Sequence, residues 1–124
     1  MSLNTPISKV RGLGSAKSGT HHWWIQKVAA VALIPLTVWF VASIVQMTKA
    51  DYFTVKAWLS SPLSAILMLA YIVTGLYHLR LGIQEIVEDY IPDKGTKIFL
   101  SFAVLFGCTI IAVTCIFSVL KIAL

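Results

Sequence analysis

His78 sits at the end of a 23-residue stretch, Ala57 to Leu79, that contains no Lys, Arg, Asp or Glu. Gly82 follows one helical turn later, and the pair Asp89-Tyr90 comes three turns on. Ionisable side chains at membrane depth are costly and by default mark a site. An imidazole there offers a nitrogen ligand for iron or another metal. Eleven residues at about 100° each make roughly 1,100°, about 20° from three full turns. On one helix, His78 and Asp89 therefore share a face and are separated by roughly 16 Å of rise. Tyr71, Gly75, Gly82 and Glu85 fall within about 60° of the same line. The spacing predicts a buried ligand candidate in line with an acid–phenol pair at the membrane surface.

Two readings of His78 fit the spacing. The glycines leave clearance for a flat porphyrin ligated by His78, or they allow another helix to approach while the imidazole bonds to it. Beyond the histidine, Glu85, Glu88 and Asp89 crowd the last turns of a helix, where the macrodipole disfavours anions. Either they form a solvated acidic end, or they feed protons to a ligand held by the Tyr90 hydroxyl. A quinone is such a ligand, with its tail in lipid, its head at the interface and a need for protons on reduction. Arg80 points to a different face, where snorkelling, a phosphate or a propionate are all open to it. His21 and His22 diverge as neighbours on a helix and read as surface or interface residues. Cys108 and Cys115 lie seven residues apart, about 10 Å along one helix, too far for a mutual disulfide.

These residues need elements to hold them, and the charge pattern supplies them. The chain has 124 residues, 58% hydrophobic and 12% charged. A soluble domain of this size carries about twice that charge. Three uncharged runs result: Val28 to Thr48, Ala57 to Leu79 and Ile98 to Leu120. Each reaches the ~18 to 20 residues that cross about 30 Å of hydrocarbon as a helix. The fold class predicted is all-α, three transmembrane helices over about 23–48, 62–90 and 97–121. A short basic segment, 1–22, precedes this three-helix unit of 23–124. Pro35 predicts a kink in the first helix and Pro62 a first-turn start for the second. Pro92 stops the second helix, and Asp93 to Thr96 reads as a short turn. Trp23 and Trp24, with Trp58 placed at the start of the second helix on the other side, fit interfacial belts.

Lys9, Arg11, Lys17 and Lys27 precede the first helix, and Lys94 and Lys97 lie between the second and third. Lys49, Lys56 and Lys121 fall on the opposite side. The positive-inside rule then predicts a cytoplasmic N-terminus and a periplasmic C-terminus in a multi-pass protein of a bacterial inner membrane. The basic excess is topological, and no nucleic-acid partner is expected. The first run begins only after residue 27 and lacks a small-x-small exit, so it reads as a span and not as a cleaved signal peptide. No nucleotide fingerprint or cysteine cluster is present to hold flavin or iron-sulfur.

The run Gly75-Leu-Tyr-His78-Leu-Arg-Leu-Gly82-Ile-Gln-Glu-Ile-Val-Glu-Asp89-Tyr90 resembles a family signature. It is the His-x3-Gly-x6-Asp-Tyr pattern of the succinate dehydrogenase hydrophobic membrane anchor subunit. The opening Arg11-Gly-Leu-Gly-Ser-Ala-Lys-Ser-Gly-Thr-His-His-Trp-Trp24 is similar to proteobacterial members, and the likeness covers nearly the whole chain. The resemblance implies that His78 gives one axial ligand to a b-type haem shared with a cytochrome b anchor subunit. It implies that Tyr90 hydrogen-bonds ubiquinone beside Asp89, and that Lys27 stands where relatives carry an arginine near the haem propionates. The partners implied are a flavoprotein subunit with FAD and an iron-sulfur subunit, joined in a respiratory complex of the tricarboxylic acid cycle. This chain would not bind succinate, and no activity is expected from it alone. Other readings are a fumarate reductase anchor, a structural or assembly membrane protein, and a transporter subunit. The last lacks the repeats and broken helix pairs that transporters carry.

Overall fold

The computed structural model describes residues 5–11 and 18–124. Among the described residues there are five helices and no strand: α1 (Pro6–Arg11), α2 (Ser18–Met47), α3 (Tyr52–Ser60), α4 (Pro62–Tyr90) and α5 (Lys94–Ala123). The basic residue Lys17 and the start of the Gly-Ser segment lie outside the described residues. Helices α2, α4 and α5 are long and apolar enough to cross a membrane.

Local chemistry explains where the helices begin and end. Ser61 has extended backbone, its Oγ accepts from the Ser64 amide, and Pro62 takes the first helical position. Proline there loses no bond, because that N–H has no intrahelical partner. Pro92 follows the C-cap Ile91, so α4 runs from Pro62 to Tyr90 as the sequence predicts. Helix α5 starts at Lys94, three residues before the expected Lys97. The Asp93 carboxylate accepts from the Thr96 amide at 2.7 Å and from its hydroxyl at 2.6 Å. The supposed turn from Asp93 to Thr96 is therefore a capped first turn. Helix α2 begins at Ser18, ahead of the Trp23 expected from hydropathy, because its first turns extend beyond the apolar run.

Helix α3 is a correction to the expected layout. Trp58 belongs to this separate helix and not to the start of α4. Asp51 caps it by accepting from the Thr54 amide at 2.9 Å, and Ser61 ends it while also starting α4. Trp58 stacks on Trp39 of α2 with ring centroids 5.9 Å apart. The Ser60 hydroxyl donates to the Lys56 carbonyl at 2.7 Å and lies 3.4 Å from the Ile122 carbonyl, where α3 packs against the end of α5.

Helix α4 is the centre of the bundle, with α2 against one flank and α5 against another. Internal burial is slight. Ala29, Leu59, Leu81, Val87 and Val119 are buried, but no side chain among the described residues is fully enclosed. Val31, Val38 and Val45, seven residues apart along α2, are all well exposed. Apolar surface on this scale requires lipid or another protein against it.

Candidate functional site

Helix α4 carries His78, Asp89 and Tyr90 on one unbroken helix, so the rise between His78 and Asp89 is roughly 16 Å. His78 is half-buried. It makes no hydrogen bond to any described residue, and Nδ1 is its enclosed ring nitrogen. The alternative in which the imidazole bonds to a neighbouring helix is thus not met among the described residues. Among the described residues, one other buried side-chain polar atom lacks a partner: Oε1 of Gln26 on α2. A buried polar atom left without a partner costs about 1–3 kcal/mol, so both atoms call for a complement from outside or by rearrangement.

The glycine flank of α4 faces α2. A Cβ placed on Gly82 would meet Gln26 Nε2 at 3.8 Å, and one on Gly75 would meet Leu33 Cδ2 at 3.8 Å. One turn before Gly75, Tyr71 stacks on Phe40 with centroids 4.9 Å apart and accepts from the Thr37 hydroxyl at 3.4 Å. Helix α2 therefore occupies the face that sequence spacing left open to a helix or a porphyrin. His78 stands at its margin, about 40–60° from the two glycines.

The end of α4 is braced by α5. Gln84 Nε2 donates to Glu88 Oε1 at 3.0 Å and to Ser101 Oγ at 2.9 Å, and Ser101 donates to the Lys97 carbonyl at 2.8 Å. The Lys97 ammonium donates to the Glu88 carbonyl at 3.1 Å. That bond satisfies one of the unpaired carbonyls of the helix end and sets a cation against its partial negative charge. The sequence marked these carboxylates as unfavourable at a helix end but gave no sign that Lys97 is the cation beside them. Ser101 and Gln26 were missed, since nothing in their local pattern separates them from ordinary polar residues in apolar helices.

Asp89 and Tyr90 are exposed, Tyr90 at 78%, and they form no hydrogen bond with each other. The phenol is therefore presented outward with its hydroxyl free. Lys27 is also exposed, and its ammonium lies 5.8 Å from the Trp23 ring centroid. His21 and His22 splay at an interplanar angle of 77°. No cluster of metal-ligating side chains occurs among the described residues, and Cys108 and Cys115 are free thiols. Outside the spans, the Thr54 side chain holds the Asp51 carboxyl below its ordinary pKa, and that of Thr96 does the same for Asp93.

A family model described as "Succinate dehydrogenase/Fumarate reductase transmembrane subunit" matches residues 1–119. The chain is similar to proteins named succinate dehydrogenase hydrophobic membrane anchor subunit. One, from Rickettsia bellii, is 35% identical over 98 residues, covering 79% of this chain and 78% of that one. Another, from Rickettsia conorii, is 36% identical over 86 residues, covering 68% of each chain. A third, from Paracoccus denitrificans, is 32% identical over 108 residues, covering 87% of this chain and 84% of its relative.

Proposed function

Because the chain belongs to the succinate dehydrogenase/fumarate reductase transmembrane subunit family, we propose that it is a membrane anchor of succinate:ubiquinone oxidoreductase. In this reading it shares a b-type haem with a cytochrome b anchor subunit and contributes to the ubiquinone site. Flavoprotein and iron-sulfur subunits carry FAD and the clusters and oxidise succinate; this chain does not touch that substrate.

The observation that carries the reading is the imidazole of His78. It stands on a membrane-crossing helix, half-buried, with no hydrogen-bond partner among the described residues and one ring nitrogen enclosed. A neutral imidazole in that state would be able to hold a haem iron through one ring nitrogen. When bound, the haem supplies a one-electron redox centre within the membrane. The residues of this chain do the rest. His78 holds and orients the group, while α2 closes the adjoining face of α4 against water.

At the end of α4 the exposed Tyr90 hydroxyl donates to a carbonyl oxygen of ubiquinone. The neighbouring Asp89 carboxylate orients that donor or a water through charge-assisted hydrogen bonds. Reduction of the quinone takes up two electrons and two protons, and Asp89 at the wet end of the helix is placed to hold a proton drawn from water. With the N-terminus in the cytoplasm, this end of α4 lies on the side from which the soluble subunits deliver electrons.

The test is a reduced-minus-oxidised spectrum of the purified membrane complex with His78→Ala. Loss of the low-spin b-type band, or a drop in haem content, is expected, while dye-coupled succinate oxidation persists. An unchanged spectrum removes His78 as the ligand.

A further inference from the structure

Arg80 is left unused by the haem and quinone reading, and its surroundings differ from those of His78. It is half-buried, lies on the opposite flank of α4 and makes no ion pair with any described residue. It lines two adjoining spaces. Towards the end of α4 is a polar cleft with a cavity volume of about 350 Å³, whose walls include His22, Trp23, Gln84, Glu85 and Glu88. Towards the membrane centre is an apolar groove of about 270 Å³ between α4 and α5, floored by Cys108, Ala112 and Ile116. A guanidinium thus sits where an apolar groove meets a carboxylate-lined cleft.

The level of Arg80 fits the boundary of the hydrocarbon. Gln26 of α2 meets α4 at Gly82, so Lys27, which ends the uncharged run of α2, and Arg80, which ends that of α4, are nearly level. Trp23 and Trp24 lie just beyond, as interfacial aromatics do. Phospholipid phosphates occupy that depth, and a guanidinium binds phosphate through paired N–H groups. Glu85 and Glu88 rise roughly 7 and 12 Å above Arg80 along the helix axis. Two carboxylates in the same cleft as one arginine disfavour a purely anionic lipid. They also stand at a helix end that favours cations, where Lys97 already supplies one.

We propose that this cleft and groove bind one phospholipid with a primary-amine headgroup. Its phosphate lies on Arg80, its ammonium between Glu85 and Glu88, and an acyl chain along the α4–α5 groove. The site is independent of His78, Asp89 and Tyr90.

The experiment is native mass spectrometry of the full chain, purified in detergent with the subunits that accompany it. Phosphatidylethanolamine, phosphatidylglycerol and inorganic phosphate are offered as separate probes at equal concentration. One phosphatidylethanolamine per chain should be retained, at least about tenfold in preference to phosphatidylglycerol, and inorganic phosphate should not displace it. Arg80→Gln should reduce retention at least about tenfold with haem content unchanged. If that variant does not assemble, Glu85→Gln with Glu88→Gln serves instead and should bring the two lipids to equal retention. Equal retention of both lipids by the unaltered chain, undiminished retention in Arg80→Gln, or displacement by phosphate alone overturns the proposal. His78→Ala, which tests the haem reading, should leave lipid retention as it was, so the two ideas fail separately.

Discussion

Two side chains of α4 have opposite surroundings: His78 is half-buried, and Tyr90 is exposed. The alignment of His78 with Asp89 was legible from helical period alone, because α4 is unbroken between them. The unpartnered state of His78 Nδ1 was not, since it depends on which α2 side chains reach across. Tyr90 is the residue that tests the quinone reading most directly. Tyr90→Phe removes one oxygen from an exposed ring, so folding and haem content should stay as they are. Losing one hydrogen bond to the reacting carbonyl costs about 0.5–3 kcal/mol, depending on the charge that develops there. Quinone reductase activity should fall roughly 2- to 100-fold at about 1.4 kcal/mol per tenfold. Succinate oxidation with a soluble dye should hold steady in the same preparation. Equal loss in both assays would indicate faulty assembly, and no loss in either would take Tyr90 out of the site.

At the level of elements, hydropathy runs and prolines placed α4 correctly but blurred its neighbours. The start of α5 depends on one carboxylate reaching back over a turn, and α3 is a capped helix inside a stretch that reads as the approach to a span. A hydropathy window averages over both. The Asp93 cap carries a pH signature. Its folded-state pKa lies below the ordinary carboxylate value, chiefly through the Thr96 side-chain hydrogen bond. The cap therefore supports α5 fully above that value and loses its contribution as pH falls through the lowered pKa. The protection factor of the Thr96 amide, its exchange rate corrected for the intrinsic pH dependence, should be high at neutral pH and fall only on strong acidification. Asp93→Asn should flatten that dependence, and an unaltered profile would dismiss the cap. Gly82 offers a second test at this scale. A methyl there meets Gln26 at an ordinary contact distance, and Ala is the better helix former by about 0.5–1 kcal/mol. Gly82→Ala should accordingly raise resistance to unfolding without lowering haem content. A loss of haem would mean that the glycine is kept for the ligand.

The molecule as a whole buries too little of itself to stand alone. Among the described residues five apolar side chains form the interior, and each long helix keeps large side chains exposed along most of its length. Lipid can cover part of that surface, but an orphaned imidazole nitrogen and an orphaned amide oxygen within the spans need polar complements that lipid tails lack. Expressed without other subunits, the chain should accumulate poorly and be degraded quickly. A well-folded, haem-free monomer recovered in good yield would contradict the anchor reading.

The link between α3 and α5 also bears on the order of synthesis. Residues 52–60 emerge early from the ribosome, yet α3 packs on α5, with Ser60 beside Ile122, 62 positions later in the chain. Contacts of such separation form only after the intervening chain has been made. That end of the bundle therefore stays open through most of translation and closes last, when the final turn of α5 arrives to receive the waiting helix.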